Sequence, residues 1–327
     1  MSRRSEFKLI SDIFAPLAKG FDGALGLKDD AALLTPKPGE QYVTTVDAMV
    51  AGVHFIGDEP AARIGQKLLR VNLSDLAAMG AAPVGYLLTL ALPQDISDDW
   101  LADFAAGLHQ DQREFGIPLM GGDTVSTPGP LTLTLTAVGS VPEGQSLLRS
   151  TARPGDDLYI SGTLGDSALG LKAVQGDLPV ALADDDRTSL IERYQLPQPR
   201  LALGQRLIGV ANAAMDVSDG LIADLGHMVA ASDVSLRLEL AAMPLSKAAR
   251  HLVEQAPDLI ETVLTGGDDY ELVFSAPKDL REQIAALAVD LDISLTCIGH
   301  VEPGQGVYLI DKAGEIVNLS KSGWTHF

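Results

Sequence analysis

A single cysteine, Cys297, is all that 327 residues carry. One thiol excludes an intramolecular disulfide and a thiolate metal cluster, and it fits a reducing compartment. Positive charge is scarce as well. Against 44 Asp and Glu stand 24 Lys and Arg, a formal net charge of −20. Such a field repels nucleic acid and anionic membranes. An anionic ligand has to arrive with metal ions or meet local basic residues; otherwise the acidity serves solubility. Long apolar runs are also missing. The longest, around Val84–Leu92, is too short to span a bilayer. The first residues, Met1 to Phe7, lead into a polar helix pattern and not an apolar signal core. The expectation is a soluble cytoplasmic protein that engages neither nucleic acid nor membrane. Phosphate-binding signatures are absent: there is no G-x-x-x-x-G-K-[ST], no kinase glycine loop and no Rossmann fingerprint. The spacing of Gly162, Gly165 and Gly170 fits none of them.

What the chain does carry is five islands of aspartate beside glycine or another small residue. They are Gly26-Leu27-Lys28-Asp29-Asp30, Asn72-Leu73-Ser74-Asp75, Gly121-Gly122-Asp123-Thr124, Asp216-Val217-Ser218-Asp219-Gly220 and Gly266-Gly267-Asp268-Asp269-Tyr270. Carboxylates without His or Cys company suit a hard cation such as Mg²⁺, which keeps coordination sites open for substrate phosphates. Phosphoryl chemistry on a nucleotide is the first inference. Each island also has a plainer reading, as a solvated turn or a helix cap. Five of them in one chain are too many to be caps alone.

The length and a 46% hydrophobic content suit two α/β or α+β domains with ordinary cores. Apolar spacing predicts a helix over 5–18, a strand over 41–47 and a helix over 61–79 stopped by Gly80 and Pro83. A buried strand over 84–92 and a helix over 96–115 opened by Ser97 follow. Leu and Thr alternate over 131–138, as in a half-buried strand. Pro142, Gly144, Pro154 and Gly155 mark a boundary, giving domains 1–147 and 148–327. In the second domain a strand over 158–161 runs through Gly162-Thr163-Leu164-Gly165 into a helix. Residues 176–199 look like a polar surface excursion. Strands are expected over 213–217, 235–240, 271–275, 293–300 and 306–310, with helices over 221–231 and 279–289 and Ser218 or Asp219 as a helix cap.

Asn72 and Asp75 share a helix face. Asp75 is a poor helix former on a stripe of Leu, Ala and Met, so it serves either function or a buried hydrogen bond. Asp47 ends a strand after Thr44-Thr45, as a cap or as a metal ligand with hydroxyl company. Gly121-Gly122 either lets a phosphate approach the backbone or forms a simple turn. Arg149 either reaches a phosphate or lies on the surface. His54 is structural or a contact. Trp324 either stacks on a flat heterocycle or pins the tail.

At this point the whole chain resembles the thiamine-monophosphate kinase family, within the superfamily of aminoimidazole ribonucleotide synthetase. The motifs are Lys28-Asp29-Asp30-Ala31-Ala32, Asp47 through Val50-Ala51-Gly52-Val53-His54-Phe55, and Asn72-Leu73-Ser74-Asp75-Leu76-Ala77-Ala78-Met79-Gly80. Gly121-Gly122-Asp123-Thr124, Asp216–Leu221 and Gly266–Leu272 follow in the same order. The resemblance implies a two-domain α/β (α+β) fold, an N-terminal mixed sheet with helices and a C-terminal α/β sandwich, with the active site in the cleft between them. It implies transfer of the ATP γ-phosphoryl group to thiamine monophosphate. It implies several Mg²⁺ ions, held by Asp30, Thr45, Asp47, Asp75, Asp123, Asp216 and Asp219, with Val46 able to join only through its carbonyl. ATP contacts fall to Gly122, Arg149 and Ser218. Thiamine-phosphate contacts fall to His54, Asp268 and Trp324. A homodimer through the N-terminal sheets is implied too. Three positions depart from the family pattern: Asp268 replaces a usual Glu, Val46 a common hydroxyl residue, and Lys28 a common Gly.

The expected mechanism is direct in-line transfer. A phosphate monoester has its second pKa near ~6, so the acceptor is largely a dianion at neutral pH and needs no general base. A second reading is another ATP-dependent enzyme of the superfamily, acting on an amidine, selenide or carbamoyl acceptor. Cys297 lies far from the N-terminal position that a selenide enzyme needs. A non-catalytic Mg²⁺- or Ca²⁺-loaded module is a third reading.

Overall fold

The computed structural model describes residues 6–29, 31–320 and 323. The chain divides into two compact units. The first holds residues up to Leu76 and Ala81–Gly144, and the second holds Ala77–Gly80 and Gln145 onward.

The first unit opens with a short helix, α1 (Glu6–Leu9), which passes into a π turn over Ile10–Phe14 and a 3₁₀ turn over Ala15–Ala18. The expected single helix is therefore loosened. Pro16 removes one backbone donor and prevents regular α-helical continuation. The apolar stripe survives, with Ile13, Phe14 and Leu17 buried. Strand β1 (Glu40–Val50), helix α2 (Ala61–Ala78), strand β2 (Ala82–Leu92) and helix α3 (Asp98–Phe115) follow the expected order. Ser97 caps α3, its hydroxyl accepting from the Trp100 N–H. Strands β3 (Leu119–Ser126) and β4 (Thr132–Pro142) complete a sheet of order β1-β4-β2-β3, in which only β2 and β3 run parallel. Gly121-Gly122, open to a phosphate approach or a simple turn by sequence, lies inside β3, so the simple turn is excluded.

Leu133, Leu135 and Ala137 of β4 are buried, as are Leu68, Leu73 and Leu76 of α2 and Phe104 and Leu108 of α3. The two helices are joined by a buried polar network. The Asp111 carboxylate accepts from Arg70 at 2.6 and 3.0 Å and from the Gln66 amide at 2.7 Å. On the other face of the sheet Tyr42, Val46, Leu87 and Val125 remain exposed.

The second unit is built on a mainly antiparallel sheet of order β10-β7-β9-β5-β8-β6. Its strands are β5 (Asp157–Ser161), β6 (Ala213–Asp216), β7 (Ser235–Glu239), β8 (Leu272–Ala276), β9 (Leu295–Glu302) and β10 (Gly306–Ile310). Helices α4 (Asp166–Gln175), α7 (Leu221–Ser232) and α10 (Arg281–Leu291) match the expected segments. The stretch 176–199 does not remain a surface excursion. It contains α5 (Asp184–Gln195), whose Leu190 and Tyr194 are buried. Its apolar positions are too few for a clear stripe, and contact with α4 decides its state. Helices α6 (Leu201–Leu207), α8 (Lys247–Gln255) and α9 (Leu259–Thr265) also go beyond the sequence reading.

Candidate active site

The strand and helix positions of the first unit sort its candidate residues into two groups. Side chains alternate across a strand, so Thr45 and Asp47 share one face of β1 while Val46 and Ala48 take the other. Thr45 and Asp47 face α2. The Thr45 hydroxyl donates a short hydrogen bond to the Asp75 carboxylate. Asn72, one turn before Asp75, fixes the register of helix against strand. Its side-chain carbonyl accepts from the Asp47 N–H at 3.2 Å, and its amide donates to the Leu68 carbonyl at 2.9 Å. Asp75 is half-buried on a helix that is otherwise almost wholly buried. The open alternative for Asp75 thus resolves into a hydrogen-bonded carboxylate that still meets solvent. Val46 is 59% exposed on the opposite face, so only its backbone can join this cluster.

Asp123 belongs elsewhere. It stands opposite Thr89, which pairs with Thr134, which pairs with Ala48. That chain of partners puts Asp123 on the Val46 face. It also puts it at the far edge of the sheet, three strand spacings or roughly 14 Å from β1. There it lines a cavity of about 1040 Å³ together with Lys28, Asp29, Gly121 and Gly122, walled by apolar residues including Phe14, Leu87 and Met120. The first and third aspartate islands therefore meet in one cavity, apart from Thr45, Asp47 and Asp75. Gly122 has a structural duty here: a Cβ would run into the Leu88 carbonyl of β2. Asp30 lies outside the described residues.

His54 follows β1 in a tight turn in which the Val53 and His54 N–H groups both donate to the Val50 carbonyl. Its Nδ1 accepts from the Val50 N–H at 3.1 Å. The neutral ring therefore carries its proton on Nε2.

In the second unit topology brings two islands to one place. Strands β5 and β6 end where the antiparallel β8 begins, with Asp216 paired to Leu272. The turn that leaves β6 and the turn that enters β8 are tied to each other. The Asp268 N–H donates to the Ser218 carbonyl and the Tyr270 N–H to the Val217 carbonyl, both at 2.8 Å. The Val217 N–H donates back to the Glu271 carbonyl at 2.9 Å. Gly267 allows this approach, because a Cβ there would strike the Ser218 carbonyl. Asp268 and Tyr270 take left-handed backbone angles, φ 71° and φ 50°. Such conformations are costly outside glycine and persist where the surroundings fix them. The Tyr270 hydroxyl donates to the Asp268 carboxylate at 3.3 Å.

The expected helix cap by Ser218 or Asp219 is replaced by another arrangement. Gly220 takes the N-cap position without a side-chain bond. Asp224, in the first turn of α7, accepts from the Ser218 and Asp219 N–H groups, each at 3.0 Å. Burial pushes the Asp224 carboxyl up to about 7. The two N–H groups and the Arg149 guanidinium oppose that shift, and the charge of Asp219 adds to it. Arg149, exposed on the surface, thus acts electrostatically on this turn. Asp216 is buried at the end of β6, and Ser218 and Asp219 are half-buried. Trp324 lies outside the described residues, but its neighbour Gly323 sits against Ala223 and the Asp219 carbonyl.

Among the described residues, no group of three or more His, Cys, Asp or Glu side chains stands close enough to hold a metal ion. The candidate donors, Thr45, Asp47 and Asp75 in one unit and Asp216 and Asp219 in the other, offer only oxygen. They fit Mg²⁺ by chemistry and exclude a soft metal.

The chain matches two family models, the AIR synthase related protein N-terminal domain over residues 28–141 and its C-terminal domain over residues 153–312. It is 44% identical to a thiamine-monophosphate kinase of Escherichia coli O157:H7, over 98% of both chains. It resembles the crystal structure of a thiamine-monophosphate kinase from Stenotrophomonas maltophilia with a TM-score of 0.85 and 46% identity, over 97% of this chain and 99% of the other. The structure of AaThiL complexed with AMPPCP and TMP aligns with a TM-score of 0.79 and 30% identity, over 98% and 97% of the two chains.

Proposed function

We infer the activity from one premise, that this chain belongs to the thiamine-monophosphate kinase family. It transfers the γ-phosphoryl group of ATP to thiamine monophosphate, giving thiamine diphosphate and ADP, a step of thiamine diphosphate biosynthesis. The observation that carries this reading is likeness to such kinases along nearly the entire chain, the two domains included.

The acceptor is a phosphate that is already ionised at neutral pH, so the protein has no proton to remove. Its task is to align two anions that repel each other, by roughly 4 kcal/mol for unit charges ~4 Å apart at an effective dielectric of ~20. We assign Thr45, Asp47, Asp75, Asp123, Asp216, Asp219 and Asp30, with the Val46 carbonyl, to holding Mg²⁺. When bound, Mg²⁺ neutralises phosphate charge and stabilises the loose in-line transition state. Residues 1–147 bind nucleotide and metal and provide the dimer contact. Residues 148–327 contribute Arg149 and Ser218 to ATP and Asp268 and Trp324 to thiamine monophosphate. Gly122 lines the nucleotide cavity, and His54 offers its Nε2 proton to the substrate. Asp268, one methylene shorter than the usual Glu, has its carboxylate oriented by Tyr270.

The exposed apolar side chains on one face of the first sheet support a homodimer through that face. No helix among the described residues is long and apolar enough to cross a membrane. That fact and the lone cysteine support a cytoplasmic location.

ADP release measured with thiamine monophosphate, thiamine and aminoimidazole precursors tests the substrate. Turnover is expected with the monophosphate alone, and turnover with thiamine but not its phosphate overturns the assignment. Acid quenching in a single turnover is expected to trap no phosphorylated enzyme.

A further inference from the structure

Glu271, the residue just before β8, carries a carboxylate that is 0% exposed. A buried charge without partners costs several kcal/mol, so its surroundings have to answer it. They do so unevenly. Arg200 engages it as a fork, Nε to Oε2 at 2.6 Å and Nη2 to Oε1 at 2.5 Å. The Ser161 hydroxyl adds a bond at 2.5 Å. Bidentate pairing with one guanidinium already balances the charge. Arg193, on α5, is a second guanidinium at the same carboxylate, 2.8 Å from Oε1. Its Nη2 also donates to the backbone carbonyl of Asp269 at 3.2 Å.

That carbonyl lies between the two left-handed residues Asp268 and Tyr270. The Asp269 side chain is anchored on its other side, where its carboxylate accepts from the Gly165 N–H at 2.7 Å and the Ser167 N–H at 3.4 Å at the start of α4. Asp269 is thus held by its side chain from α4 and by its carbonyl from α5. The residues on either side hang from it and meet Val217 and Ser218.

We propose that Arg193 is a positioning residue that sets the Gly266–Tyr270 turn, and with it the Asp268 carboxylate, through the Asp269 carbonyl and the buried Glu271. This deepens the proposed function and rests on Asp268 facing thiamine monophosphate. Arg200 touches the same carboxylate and, among the described residues, makes no hydrogen bond to the turn's backbone, so it serves as the internal control. Both arginines balance charge; Arg193 alone of the two carries that balance into the turn.

The test compares Arg193→Gln, Arg200→Gln and Arg193→Lys in the full chain. It reads kcat and KM for thiamine monophosphate, the urea midpoint, and hydrogen exchange of the peptide covering 266–270 relative to the rest of the second unit. Arg193→Gln is expected to raise KM for thiamine monophosphate by ~5-fold or more. It is expected to speed exchange at Asp268 and Tyr270 by ~10-fold beyond any change elsewhere in the unit. Arg193→Lys should restore most of both. Arg200→Gln should lower the urea midpoint while KM stays within about twofold of the parent. The proposal is overturned if the two Gln variants raise KM in proportion to their loss of stability, or if Arg193→Gln leaves exchange in the turn unchanged. Absence of thiamine monophosphate turnover in the parent chain would defeat the functional reading, and the exchange comparison would still decide the role of Arg193.

Discussion

The first unit presents three of its candidate carboxylates from regular secondary structure, Asp47 and Asp123 from strands and Asp75 from a helix. The second unit presents Asp216, Asp219 and Asp268 at or beyond strand ends, in turns tied together by backbone hydrogen bonds. In the first case the side chains can change while hydrogen-bonded ladders keep the frame. In the second the frame is the site, because left-handed residues, a glycine contact and a buried ion cluster hold the turns in place. The same residue types therefore carry different risks in the two units. Substitution is expected to cost turnover in the first and stability in the second.

The strongest break of this contrast would come from Asp75→Asn. We expect kcat to fall by at least ~10³-fold, as for loss of a group that stabilises transition-state charge. Stability in urea should move by less than ~1 kcal/mol, since an amide oxygen can still accept from Thr45. A large loss of stability with turnover retained would identify a metal-stapled scaffold instead. Glu271→Ala comes next. It leaves Arg193 and Arg200 without their carboxylate and should cost ~3–5 kcal/mol by equilibrium unfolding.

Gly267→Ala sharpens the comparison further. The added methyl meets the Ser218 carbonyl, and we expect a loss of ~1–3 kcal/mol together with weaker nucleotide binding. Gly121→Ala, by contrast, adds a methyl in ordinary contact with Leu87 and should change stability by less than ~1 kcal/mol. The pH dependence of the second unit gives a further test. The Asp224 carboxyl is raised from 3.8 to about 7, so the folded state holds its proton more tightly than the unfolded chain. Its contribution to stability is fully present below about 4 and is lost as pH rises through about 7. With a chelator present, Asp224→Asn should match the parent near pH 4 and exceed it by ~1–3 kcal/mol at pH 8. A gap that does not vary with pH would show that the carboxyl is not the titrating group.

Much of the first unit was legible from local pattern. Ser97 as a cap, Gly80 as a stop and the Leu and Thr alternation of β4 each act within a few residues, where sequence spacing and geometry correspond. Strand β3 was not, because Gly121-Gly122 has no strand pattern of its own, and only pairing with β2 makes it one. Helix α5 was not, because three leading aspartates and sparse apolar residues hide Leu190 and Tyr194, which are buried only through tertiary packing against helices such as α4 and α8. The helix cap at Ser218 failed for a related reason. Asp224 took the N–H groups that the local reading had left for Ser218 and Asp219.

The sequence by itself determined the chemistry: oxygen donors in five islands, one thiol, no general base pair, and motifs that name the family. Tertiary structure decided which islands are neighbours. Asp29 met Asp123 and not Asp75, because alternation across a four-stranded sheet sends adjacent positions to opposite faces. The Gly266–Tyr270 island joined Asp216–Gly220, because antiparallel β6 and β8 bring a strand end and a strand start to the same edge. Residue type is written locally. Proximity depends on register and on hydrogen bonds between residues some fifty positions apart, which no local pattern contains.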